Sequence, residues 1–139
     1  MLNNRTVSDF IAADHLASAV QKDALPFLLS AGSPLFREGN APEAVYFVKA
    51  GEVTLTMHAA GKSIVSFRAG PGSLLGLPAI LGNKPYSLTA VAEGDVEVYK
   101  IAGDEFKEMV AQDGRMCSEV LRILACEVHS ARAAVGKLL

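Results

Sequence analysis

Val53, Leu55 and Met57 alternate with Thr54 and Thr56. A period of two places the apolar set on one face of a strand and the polar set on the other. Short apolar runs of the same kind surround it. They are Val45-Tyr46-Phe47-Val48, Ile64-Val65-Ser66-Phe67, Leu74-Leu75, Ser87-Leu88-Thr89-Ala90-Val91 and Val96-Glu97-Val98-Tyr99. Glycines at 32, 39, 51, 61, 70, 72, 76, 82 and 94 punctuate them. Short strands separated by turn glycines predict a sandwich, jelly roll or barrel over residues 31–102. No strand–helix–strand unit repeats, which disfavours a parallel α/β sheet.

The flanks read as helix. Over residues 7–29, Ser8 is a candidate N-cap, and Phe10, Ile11, Leu16 and Val20 recur near helical spacing. Pro26 breaks or restarts that segment before Phe27-Leu28-Leu29. Residues 103–139 return to helix, with Asp104 and Glu105 where a first turn favours negative charge. Phe106, Met109 and Val110 supply an apolar face, and Asp113-Gly114 interrupts before a last helix. There Cys117, Leu121, Leu124, Val128, Ala131, Val135 and Leu138 follow spacings of 4, 3, 4, 3, 4, 3, an a/d seam flanked by Glu119, Arg122, Glu127 and Arg132. The seam suits either packing on the chain's own barrel or a two-helix homodimer. Val120, Ile123 and Ala125 favour the dimer, because they add apolar surface beside the seam.

Composition narrows the function classes. The 139 residues suit one domain, 1–139, with a helical segment at 1–30, the β-roll at 31–102 and helices at 103–139. Half the residues are hydrophobic, 20% are charged, and the net charge is -2. No basic excess marks a nucleic-acid surface, so DNA binding by this chain alone is disfavoured. No apolar run approaches the roughly 18 residues that span a bilayer. No apolar stretch follows Arg5, so no secretory signal is read and a cytoplasmic address is expected. Cys117 and Cys126 sit about 13 Å apart on one helix, too far to bridge, and read as reduced, packed thiols.

The strand zone carries a family resemblance. Gly32-x-x-Leu35-Phe36-Arg37-Glu38-Gly39-Asn40 precedes Val45-Tyr46-Phe47-Val48-x-x-Gly51-x-Val53-x-Leu55. Then come Gly70-Pro71-Gly72-Ser73-x-x-Gly76 and Pro85-Tyr86-Ser87-Leu88-Thr89-Ala90-Val91-Ala92. This order resembles the cyclic-nucleotide-binding domain of Crp/Fnr regulators, cyclic-nucleotide-dependent kinases and gated channels. The resemblance covers about residues 10–139. It implies an N-terminal helix, an eight-stranded jelly roll (double-stranded β-helix), a short helix and a long C-terminal dimerisation helix. Gly39, Gly51 and Gly72 would fall at turns that need positive φ. Leu35, Phe36, Tyr46 and Phe47 would fill the roll and its cover.

The resemblance also implies a ligand cassette, here Gly76 to Ser87. In the family, backbone N–H groups at its helix start cradle the cyclic phosphate. A glutamate after the glycine holds the ribose 2′-hydroxyl, and an arginine ten residues after the glycine pairs with the phosphate. This chain departs at both positions, with Leu77 for the glutamate and Tyr86 for the arginine. Losing one partner of a buried charge pair costs about 2–5 kcal/mol. At about 1.4 kcal/mol per decade, that is one to several orders of magnitude in affinity. Cyclic AMP or cyclic GMP held in the usual manner is therefore disfavoured. Gly76, Leu77, Lys84, Tyr86 and Ser87 stay the candidate ligand-contacting residues. Lys84 is the one nearby cation, and Tyr86 offers a hydroxyl. Leu77, Pro78, Ile80 and Leu81 make the cassette apolar, so it is either filled by its own side chains or suited to a more hydrophobic effector.

Other chemistries find little support. Iron–sulfur ligation in this family uses N-terminal cysteines, which this chain lacks. His58, by a hairpin turn, and His129, beside the seam, read as surface or interface histidines rather than haem ligands. A cupin-type enzyme needs a histidine and carboxylate set on neighbouring strands, and His58 is alone in the strand zone. No nucleophile elbow, HExxH or Walker loop occurs. The expected reading is a non-catalytic regulatory or sensor domain without an evident cofactor. It is either the sensor half of a longer regulator or a stand-alone module, since no helix-turn-helix follows the last helix up to Leu139.

Overall fold

A computed structural model describes residues 5–136 apart from positions 9 and 23; at 5–7, 64 and 128–136 it describes the backbone alone. The strands are β1 (Arg5–Val7), β2 (Phe27–Leu29), β3 (Pro34–Phe36), β4 (Ala44–Ala50), β5 (Val53–Ala59), β6 (Lys62–Ala69), β7 (Leu74–Leu75), β8 (Thr89–Ala92) and β9 (Val96–Ala102). The helices are α1 (Asp14–Gln21), α2 (Leu77–Gly82), α3 (Gly103–Gln112) and α4 (Gly114–Gly136). One sheet has the order β1-β6-β5-β8-β3 and the other β2-β9-β4-β7. Every pairing is antiparallel except β1 with β6. Strands β2 to β9 thus build the expected eight-stranded roll, and β1 lies parallel along one edge.

Strand β4 organises the layers. Its run from Ala44 to Val48 is buried throughout, because each face meets a different core. Ala44, Tyr46 and Val48 point between the sheets, with Leu35, Phe36, Leu55 and Val98. Val45 and Phe47 point outward beneath the helices, with Leu16, Leu74, Tyr99, Phe106 and Ile123. A strand covered on both sides reads as a continuous apolar run, whereas half-covered β5 alternates.

Two expectations at the N-terminus are corrected. Helix α1 starts at Asp14 with Ala13 at its N-cap, not after Ser8. The roll captures the preceding backbone. Ala12 N donates to Gly72 O at 2.9 Å, Leu74 N donates to Phe10 O at 2.8 Å, and Ile11 bridges Ser73. Phe27-Leu28-Leu29 is strand rather than helix, paired residue for residue with Val98, Glu97 and Val96. Three apolar residues have no readable period, so the distant edge of β9 decides their conformation.

The turn glycines do what the pattern asks. Gly39, Gly51 and Gly72 have φ of 83°, 91° and 91°. Gly51 is the most constrained: a Cβ there would lie 2.6 Å from the Asp95 carbonyl oxygen.

Candidate functional site

The cassette runs from the end of β7 through α2 to the start of β8. Gly76 caps α2 in the left-handed region, φ 95°. A Cβ at Gly76 would press on the Ala44 carbonyl oxygen at 3.1 Å and on Tyr86 Cε1 at 3.3 Å. Glycine therefore meets both the conformation and the close approach of β4. Pro78 sits in the first turn of α2, where its missing N–H leaves no intrahelical bond unmade. Asn83, φ 50°, ends the helix, and Lys84 N closes it onto Ala79 O at 3.0 Å.

Tyr86 is turned inward, 5% exposed. Its hydroxyl donates to Ala44 O at 2.7 Å and accepts from Ala44 N at 2.9 Å and Glu43 N at 3.2 Å. One donor and two acceptor sites are thereby all used. Its ring stacks on Phe36, with centroids 4.2 Å apart and planes 14° from parallel. Its backbone is fixed too, with Tyr86 N on Asn40 O at 3.1 Å and Gly39 N on Tyr86 O at 2.9 Å. The residue at the arginine position is thus a fully satisfied wall of the core.

Leu77, at the glutamate position, is 0% exposed and belongs to the core beneath the helices, beside Val45, Ile80 and Phe106. Ser87 is exposed at the cavity mouth. Lys84 is exposed, lies over Gly82 and does not line the cavity. Of the five candidates, the structure brings Gly76, Tyr86 and Ser87 together around one cavity and leaves Leu77 and Lys84 outside its lining.

That cavity has a volume of about 30 Å³ and is walled by Phe10, Phe36, Leu55, Leu75 and Leu88, with Glu127 reaching in from α4. A buried water needs roughly 10–15 Å³ on this measure, so the space holds about two waters and no nucleotide. Among the described residues, no lysine, arginine or histidine is in the lining, and its one carboxylate is Glu127.

The last helix presents two faces. Met116, Val120 and Ile123 are buried against the chain's own domain. Of the predicted seam, Leu121 is 61% exposed, Cys117 is half-buried, and Leu124 is half-buried against the helix-side core. Val128, Ala131 and Val135 lie on the helical backbone without described side chains, and Leu138 lies outside the described residues. Cys117 and Cys126 are both free thiols.

Sequence reasoning missed three ties between the N-terminal segment and this helix. His15 Nε2 bonds Asp113 Oδ2 at 2.7 Å, Leu16 N donates to Glu119 Oε2 at 2.9 Å, and Arg122 Nη2 donates to Ile11 O at 2.8 Å. Asp113 Oδ1 also accepts from Arg115 N at 3.0 Å and Met116 N at 3.3 Å, capping α4. The His15 hydrogen bond, with the two backbone donors, holds the Asp113 carboxyl below the usual range. His58 instead pairs with the Glu38 carboxylate through both its ring and its backbone N–H.

An eight-stranded antiparallel roll with a short helical cassette and a long final helix defines the class: a ligand-cassette jelly roll. A profile of the cyclic nucleotide-binding domain matches residues 27–113, and the chain belongs to that family. Among its relatives is the cyclic AMP receptor protein of Thermus thermophilus, 27% identical over 101 residues, covering 72% of this chain and 47% of the relative. The cAMP-dependent protein kinase regulatory subunit of Aspergillus niger is 31% identical over 80 residues, 58% of this chain and 19% of that protein. The crystal structure of the Thermus thermophilus catabolite activator protein superposes with a TM-score of 0.76 at 24% identity, over 91% of this chain and 60% of that one. The chain thus spans about half the length of the first of these relatives. Among the described residues no helix is long and apolar enough to cross a membrane.

Proposed function

We propose that this domain is a non-catalytic regulatory module of the Crp/Fnr type that does not hold cyclic AMP or cyclic GMP in the family's usual manner. The observation that carries the reading is the seat of Tyr86. Its hydroxyl is spent on Glu43 and Ala44, and its ring fills the space beside Phe36. Among the described residues a phosphate has no cation to meet in the lining, and Leu77 is packed into apolar core. The module acts as a homodimer through the Leu121 side of α4, since Leu121 is exposed there while Met116, Val120 and Ile123 cover the domain's own core. It transmits to an output domain or partner.

The 30 Å³ cavity also supports a second reading, a structural homodimerisation module whose pocket is permanently filled. Calorimetric titration and thermal shift of the full chain with cyclic AMP and cyclic GMP test the first statement. Neither nucleotide is expected to shift Tm or release heat at micromolar concentration. A micromolar Kd for either would overturn it. A thermal shift with an apolar small molecule would separate a sensor from a filled pocket.

A further inference from the structure

We propose that the cleft where α2, α3 and the loop before β4 meet is a binding site for a small zwitterion, a free α-amino acid with an apolar side chain. The cleft has a volume of about 170 Å³, against about 30 Å³ for the cassette cavity. At roughly 10–15 Å³ per water it takes about eleven waters or more, room for a molecule of about ten non-hydrogen atoms. Pro42 and Glu43 line it from the loop, Ile80 and Asn83 from α2, and Asp104 and Lys107 from α3. The two linings share no residue, so the site stands apart from the regulatory reading above.

The walls are built rather than incidental. Glu43 is held at both ends of its backbone, with its N–H on the Tyr86 hydroxyl at 3.2 Å and its carbonyl on Gly103 N at 2.9 Å. Gly103 is outside the left-handed region, so room and not conformation requires glycine there. A Cβ would lie 2.9 Å from Ile80 Cδ1 and 3.4 Å from Glu43 O. This close approach sets Glu43 and Asp104 on adjoining backbone. Lys100, from β9, takes Glu43 Oε1 at 3.2 Å, and no other described residue takes Oε2. Lys107 Nζ lies 3.8 Å from Asp104 Oδ1, and the Asn83 amide makes no hydrogen bond among the described residues.

Charges of both signs therefore face the cleft. Asp104 and Glu105 already answer the positive end of α3, and a lone anion would meet the Glu43 and Asp104 carboxylates. A lone cation would meet Lys107. A zwitterion serves both: its ammonium takes Glu43 Oε2 and Asp104, and its carboxylate takes Lys107 and the Asn83 amide. Its side chain covers Pro42 and Ile80.

Amide chemical shifts of the full chain titrated with L-leucine test the site. Shifts are expected at Asn83, Gly103, Asp104 and Lys107, saturating with a Kd of about 1 mM or lower. Isoamylamine and isocaproate each keep one of leucine's two charges, and each is expected to bind at least about tenfold more weakly. Glu43→Gln and Lys107→Gln change exposed side chains and leave the core intact. Each is expected to weaken leucine about threefold or more. No shift with leucine, equal binding of the singly charged analogues, or unchanged affinity in either variant would overturn the site. Shifts at Gly76 and Ser87 instead would place the ligand in the cassette and overturn it too. The cyclic-nucleotide titrations above concern the cassette, so either result can fail alone.

Discussion

The Tyr86 hydroxyl brackets the peptide of Ala44, donating to its carbonyl at 2.7 Å and accepting from its N–H at 2.9 Å. Strand β7 pairs with β4 only at Tyr46 and Phe47. Beyond that short partner the edge of β4 would carry an unpaired backbone, and the phenol stands in for the missing strand. Tyr86→Phe keeps the ring stack on Phe36 but strips two backbone donors and one acceptor of their partner. A loss of about 1–3 kcal/mol is expected, read by urea unfolding. An unchanged midpoint would show that water satisfies these groups equally well.

In the proposed dimer the two faces of α4 separate folding from association. Leu121→Glu alters an exposed residue, so Tm should move by no more than a few degrees while the dimer dissociates in sedimentation velocity. Ile123→Glu, on the fully buried face, should unfold the domain, at about 3 kcal/mol or more for an unpaired buried charge. A wild-type monomer at high micromolar concentration would remove the association argument.

Ser73 is fully buried, and its hydroxyl has no hydrogen-bond partner among the described residues. Burying an unpaired hydroxyl costs stability. Ser73→Ala should therefore be neutral or stabilising by up to about 1 kcal/mol. A clear drop in unfolding midpoint would reveal a partner for that hydroxyl, such as a bound water.

Asp113 sets an acid limit on the tie between α1 and the start of α4. Its carboxyl is held below the ordinary value, first by the His15 hydrogen bond and then by the N–H groups of Met116 and Arg115. A depressed folded-state pKa gives stability that is present above the unfolded value, about 3.9, and is lost as pH falls through the folded value. Asp113→Asn keeps a capping oxygen but removes the titration. Its plot of Tm against pH should be flatter than wild type below about pH 4. Parallel curves would show that the pairing contributes nothing in solution.

The amino-acid sequence by itself determined the strand zone, the turn glycines, the cassette frame and the apolar character of the last helix. These are local: alternation along β5, positive φ at Gly39, Gly51 and Gly72, and the Gly76 to Ser87 spacing are properties of neighbouring residues. Tertiary structure alone decided what each candidate side chain touches. Phe27-Leu28-Leu29 became strand because β9 offered an edge. Tyr86 became a wall because an unpaired stretch of β4 lay 42 residues away. Glu119 and Arg122 carry the charge pattern of a helix pair, yet bond a segment over a hundred residues distant. Periodicity records which face of an element is apolar; it holds no record of which distant backbone group that face will meet.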